Sequence, residues 1–115
     1  MKTLQAKDLK QMLDRGDNLV LLNVLSEDAF EKEHVPGSLN APSDREQFVA
    51  EVEKQVGDKD RHIVVYCSDQ QCDASPTAAR KLEEAGFKKV THFAGGMAEW
   101  KAAGFKTESG QPVSR

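Results

Sequence analysis

The sequence predicts an α/β domain in which a parallel sheet is covered by helices on both faces. Segments with helical patterns and segments with strand patterns alternate along the chain. Two strand-length runs, NLVLLNVL at 18–25 and HIVVYC at 62–67, are apolar almost throughout, as is typical of strands buried between layers of helices. Strands that alternate with helices pair in parallel, and these observations together predict the class.

The composition is that of one domain with a mildly acidic surface. The chain has 115 residues, of which 38% are apolar and 30% are charged, and its formal net charge is −3. A nucleic-acid-binding protein usually carries a basic face, and no apolar run reaches membrane-spanning length. We therefore expect neither nucleic acid nor a membrane as a partner. The opening segment is too polar for a signal peptide, which predicts a cytoplasmic protein.

The first half of the chain alternates short helices and strands. A helix is predicted over 6–14, where apolar residues recur at helical spacing, and Gly16 provides its end. The apolar run at 18–25 is the first strand. Ser26 is a capping residue that opens a short helix, and the Pro- and Gly-containing stretch after it leaves room for a brief strand at 38–40.

The second half continues the alternation. A capping box, SDRE at 43–46, opens a helix that reaches about residue 55. The run at 62–67 is the second buried strand, and KKVTHF at 88–93 is the third. The segment 95–105 contains a glycine turn and then a short helix.

The clearest helix signal is SPTAARKLEEAGF, which lies between the second and third buried strands. Ser75 is a natural N-cap, Pro76 suits the first helical position, and Gly86 suits the position just past the end. The segment between Cys67 and Ser75 therefore joins the carboxyl end of a buried strand to the start of a helix.

The chain contains two cysteines, Cys67 and Cys72, and both lie in this loop. Ligands of open parallel sheets bind beyond the carboxyl ends of the strands, and that is where Cys67 stands. The unpaired N–H groups of a helix N-terminus stabilise an anion and can lower a thiol pKa from about 8.5 to roughly 3.5–7.5. Cys67 is therefore predicted to be a nucleophile or a sulfur carrier.

The rest of the loop is expected to form the substrate site around the sulfur. Backbone amides of a curled loop can stabilise a thiolate or a persulfide without a charged side chain. The chain has only two cysteines and three scattered histidines, so we expect no metal and no organic cofactor. The predicted substrate-binding residues are Ser68, Asp69, Gln70, Gln71, Asp73, Ala74 and Ser75.

Three segments in order resemble the single-domain rhodaneses, a family of sulfurtransferases. They are LLNVLSEDAFEKEHVPGSLNAP at 21–42, VVYC at 64–67, and AGFKKVTHFAGGMAEWKAAGF at 85–105. The resemblance implies a five-stranded parallel sheet flanked by helices, with one rhodanese-like domain at 1–105 and a polar C-terminal tail at 106–115. It also implies that Cys67 carries sulfane sulfur as a persulfide, received from a donor and passed to a nucleophilic acceptor.

The chain departs from the pattern of that family at three places. The acid and the arginine of its DVR motif are replaced in Asn23-Val24-Leu25, so that Asn23 is expected to support the loop by hydrogen bonds alone. The loop is two residues longer than in common members. It holds Asp69 and Asp73 but no Lys or Arg, which disfavours a dianion such as thiosulfate. The expected donor is a persulfide of a small thiol or a protein, and the expected acceptor is a thiol.

Two other functions remain open on the sequence. Cys72 could attack the persulfide on Cys67 and leave a disulfide that a thiol reductant resets, which would make the protein a thiol–disulfide enzyme or sensor. The other alternative is that the protein is a non-catalytic binding module with the same fold. A cysteine phosphatase needs Arg six residues after its cysteine, and Asp73 occupies that position here. The sequence does not indicate whether His92 faces the site or the solvent.

Overall fold

The computed structural model describes residues 2–16, 18–69 and 71–110, and it contains one parallel sheet. Three strands of five residues form its centre, and a strand of two residues lies at each edge. In chain order the strands are β1 Lys2–Thr3, β2 Leu19–Asn23, β3 Leu39–Asn40, β4 His62–Tyr66 and β5 Lys89–Phe93. Their spatial order is β1-β5-β4-β2-β3, and every pair is parallel.

In the described residues four helices connect successive strands and a fifth follows β5, so the predicted α/β class with a parallel sheet is confirmed. The helices are α1 Ala6–Arg15, α2 Glu27–Lys32, α3 Phe48–Val56, α4 Ala74–Glu84 and α5 Gly96–Ala102. None of the helices within the described ranges is long and apolar enough to cross a membrane.

The two faces of the sheet carry separate cores because successive side chains of a strand point to opposite faces. On one face, residues of β2 and β4 pack against α3 and α4, and Cys67 belongs to this cluster. On the other face, Tyr66 and its neighbours pack against α1 and α5. Cys67 therefore points to the α4 side, and Tyr66, one residue earlier, points away from it.

Helix α3 begins later than the capping box predicts. The helix begins at Phe48, and its N-cap residue Gln47 makes no side-chain cap. The amide of Ser43 instead donates to the carbonyl of Val24 at 3.2 Å, which holds the start of the predicted box against the end of β2. The prediction of a helix from 43 is wrong because tertiary hydrogen bonding uses those residues in turns.

Residues 106–110 of the predicted tail lie against the domain. The indole N–H of Trp100 donates to the carbonyl of Lys106 at 2.7 Å. The backbones of His34 and Glu108 exchange two hydrogen bonds of 2.8 and 2.9 Å. Residues 111–115 lie outside the described residues.

Candidate active site

Cys67 directly follows β4 and is 1% exposed. The amide of Met97 donates to the carbonyl of Cys67 at 2.9 Å, and the amide of Ala98 donates to that of Ser68 at 2.8 Å. Gly96 has a φ of +58°, and a Cβ at this position would overlap the carbonyl oxygen of Cys67. The first turn of α5 thus holds the start of the cysteine loop, and only glycine allows this approach.

Cys67 and Cys72 are joined by a disulfide, with their Cα atoms 6.5 Å apart. This separation lies within the range that a disulfide can bridge. Asp69 folds the loop between them, since its side chain accepts from the amide of Gln71 at 2.9 Å and its carbonyl accepts from the amide of Cys72 at 3.2 Å. The sequence predicts that backbone amides of this loop surround the sulfur, and in the disulfide form these two amides are engaged within the loop.

A fully buried serine and a histidine lie behind the sulfur of Cys67. The hydroxyl oxygen of Ser75 is 3.4 Å from Sγ of Cys67 and 2.6 Å from Nε2 of His92. Burial lowers the pKa of His92 from its usual value near 6.5. The ring is therefore neutral near pH 7, and one of its nitrogens can act as a base.

The predicted capping role of Ser75 is wrong. Helix α4 begins at Ala74 with Asp73 as the N-cap residue, so Ser75 is the second helical residue and its hydroxyl turns inward. Pro76 is then the third helical residue, where its missing N–H removes no intrahelical hydrogen bond. Gly86 has a φ of +103° and follows the C-cap residue Ala85, as predicted.

The chain matches one known protein family over most of its length, and the match includes the cysteine loop. A model described as the rhodanese-like domain matches residues 5–103. The chain belongs to the rhodanese family. Its fold, a parallel sheet with helices and a cysteine after a central strand, is therefore rhodanese-like.

Individual relatives of this rhodanese domain include curated proteins and a solved structure. The chain is 32% identical over 97 residues to an HTH-type transcriptional regulator of Mycobacterium tuberculosis, covering 83% of this chain and 40% of that protein. It is 32% identical over 91 residues to the "Putative sulfur carrier protein YrkF" of Bacillus subtilis, covering 79% and 46%. Thus the chain spans less than half the length of these relatives. A rhodanese-like domain from Anabaena sp. superposes with a TM-score of 0.83 at 29% identity, covering 95% and 80%.

The mouth of this rhodanese site is acidic. Ser68, Asp69, Gln71 and Asp73 are exposed, whereas Cys72 and Ala74 are partly buried. Beside the loop lies a shallow surface depression whose lining includes Asp69 and Glu99. Gln70, which we predicted as part of the loop, lies outside the described residues.

Asn23 does not support the cysteine loop through any of its hydrogen bonds that the structure describes. Its side-chain oxygen accepts from the amide of Leu25 at 2.9 Å, and its carbonyl accepts from the side chain of Asn40 at 3.1 Å. The register pairs Asn23 with Tyr66, so both side chains lie on the face opposite Cys67. The alternation of the strand is the physical reason for this correction.

His92 is the site residue whose role the sequence left open. It pairs in register with Val65, which lies two positions before Cys67 and therefore points to the same face of the sheet. The register of β5 against β4 is the information that would have placed His92 at the site. Register depends on the relative position of two strands that are distant in sequence.

Proposed function

We propose that this rhodanese domain is a sulfurtransferase that carries sulfane sulfur as a persulfide on Cys67 and passes it to a thiol acceptor. The observation that carries the proposal is the position of Cys67 between the end of β4 and the start of α4, with a buried hydroxyl against its sulfur. Family membership and a relative named for sulfur carriage support the same chemistry.

The reaction is a double displacement. The thiolate of Cys67 attacks the outer sulfur of a donor persulfide, the donor's S–S bond breaks, and the donor leaves as a thiolate that takes up a proton. The thiolate of the acceptor then attacks the outer sulfur on Cys67. The second S–S bond breaks, and Cys67 is released as a thiolate.

The charges at the mouth favour one class of donor. The carboxylates of Asp69 and Asp73 are close to Cys67 in the chain, and no Lys or Arg lies between Cys67 and Ser75. Two negative charges repel a dianion, so thiosulfate is disfavoured as the natural donor. A persulfide of a small thiol or of a protein carries at most one negative charge on its reacting sulfurs, rather than two on one small ion, and fits better.

The disulfide favours a second function for the same site. Cys72 attacks the inner sulfur of the persulfide on Cys67, the bond to the outer sulfur breaks, and hydrosulfide leaves. The product is the Cys67–Cys72 disulfide that the structure contains. A thiol reductant then restores both thiols, so the net reaction reduces a persulfide to sulfide. A reducing compartment such as the cytoplasm supplies both acceptor and reductant.

Intact-mass analysis after incubation with glutathione persulfide or thiosulfate tests these proposals. The reduced Cys72→Ser protein is expected to gain one sulfur atom that alkylation traps, and Cys67→Ser is expected to gain none at position 67. The unsubstituted protein is expected to release sulfide and lose two hydrogens. No sulfur on Cys67 with either donor would favour a non-catalytic binding module.

A further inference from the structure

We infer that Ser75 and His92 form a proton relay that deprotonates Cys67, which makes His92 the base of the reaction. The inference rests on the proposed function and adds a proton acceptor that neither the family match nor the relatives assign to this chain. It joins three elements, since Cys67 follows β4, Ser75 belongs to α4 and His92 belongs to β5.

The geometry provides a continuous path for a proton. The oxygen of Ser75 is 3.4 Å from Sγ and 2.6 Å from Nε2. Ser75 is fully buried, so its hydroxyl has these two groups as partners rather than bulk water. A hydroxyl both donates and accepts. It can therefore accept the thiol proton while it gives its own proton to the ring.

The surroundings of His92 keep its ring neutral until Cys67 ionises. Burial lowers its pKa, and no charged side chain among the described residues contributes to that shift. Across the sheet it pairs with apolar Val65 of β4, and its carbonyl accepts from the amide of Leu4, next to β1. From α4 it meets the hydroxyl of Ser75, which in turn lies against the sulfur of Cys67. A thiolate on Cys67 would therefore be the charge that stabilises an imidazolium.

The transfer balances in protons and electrons. The thiol proton of Cys67 moves to the oxygen of Ser75, and the hydroxyl proton of Ser75 moves to Nε2 of His92. The electron pair left on Sγ then forms the bond to the outer sulfur of the donor persulfide. The donor thiolate takes the proton from the imidazolium, directly or through water, and the ring is neutral again.

The pH dependence of Cys67 alkylation by iodoacetamide tests the relay in reduced protein carrying Cys72→Ser. His92→Gln keeps a hydrogen-bonding side chain that takes up no proton, and Ser75→Ala breaks the path. We expect both changes to move the thiol pKa toward about 8.5. A rise of one unit lowers the alkylation rate at pH 7 by about tenfold. His62→Gln is the matched control because His62 lies at the start of β4, at the end of the strand opposite Cys67, where its ring bonds to Thr91. This substitution is expected to leave the pH profile unchanged.

Three results would overturn the relay. These are an unchanged profile in His92→Gln, a shift in Ser75→Ala without one in His92→Gln, and an equal shift in His62→Gln. If a variant does not fold, the relay is tested instead by nuclear magnetic resonance of the His92 ring nitrogens in the Cys72→Ser protein. Their titration should change when Cys67 is alkylated, and an unchanged titration would refute the relay. No sulfur donor enters these assays, so failure of the relay and failure of sulfur transfer are separate outcomes.

Discussion

Cys67 and Cys72 are bridged by a disulfide inside a single loop, so the two thiols of the chain are oxidised and reduced together. Cys67 is the buried partner and Cys72 is partly exposed. A reductant therefore reaches the bridge from the side of Cys72. In the disulfide state neither sulfur is a nucleophile, and reduction must precede sulfur loading.

Reduction of this bridge is expected to lower stability. A cross-link stabilises a protein by restricting its unfolded chain, and a loop as short as this one gives about 2 kcal/mol in the chain-entropy model. We expect the free energy of unfolding in urea to fall by about that amount when a phosphine reductant is added. Cys72→Ser has no bridge and should not respond to the reductant. Equal stability of the oxidised and reduced forms would contradict a disulfide in solution.

Stability should also depend on pH through His92. Because burial holds the pKa of the folded-state ring below its usual value, the unfolded chain binds the proton more readily. The contribution of this group is complete above the unfolded value of about 6.5 and is lost as the pH falls through the lowered folded value. Urea unfolding at pH 7.5 and at pH 5.5 should show a larger loss in the unsubstituted protein than in His92→Gln. An identical loss in both would exclude His92 as the source.

The central elements were predictable because local patterns determine them. The predicted helix at 6–14 corresponds to α1, and the apolar runs correspond to β2 and β4. These assignments depend on hydrophobic periodicity within one segment. The position of Cys67 directly after a buried strand follows from the same pattern.

The errors concern residues whose role depends on other segments. The sequence could not show that the helix begins one residue before Ser75, with Asp73 at the N-cap position and no side-chain cap, while the hydroxyl of Ser75 meets His92. Asn23 was expected beside the cysteine loop, but alternation along β2 turns it to the other face. Each of these outcomes depends on strand register or on a contact between distant segments.

Gly96 is predicted to be the least replaceable glycine of the site. An alanine there combines a positive φ with overlap against the backbone of Cys67, and the φ alone costs about 1–2 kcal/mol. Gly104 is the matched control because it has a φ of +82° but open space around it. We expect Gly96→Ala to lower the free energy of unfolding more than Gly104→Ala and to slow sulfur loading of Cys67. Equal effects of the two substitutions in urea unfolding would show that the close approach carries no cost.

Donor preference should change when charge is removed at the mouth of the site. Asp69→Asn keeps the oxygen that accepts from the amide of Gln71, so the fold of the loop is retained while one negative charge is lost. Together with Asp73→Asn, it is expected to raise kcat/KM for thiosulfate severalfold at low ionic strength, because repulsion between like charges falls.

The salt dependence and a distant substitution distinguish this repulsion from other effects. The gain for thiosulfate should shrink as ionic strength rises, since exposed charges are screened over about 10 Å at 0.1 M. Asp60→Asn removes one charge at the opposite end of β4, where Asp60 pairs with Lys88, and should leave the preference between thiosulfate and glutathione persulfide unchanged. A similar gain in Asp60→Asn would mean that net charge, rather than the acidic mouth, selects the donor.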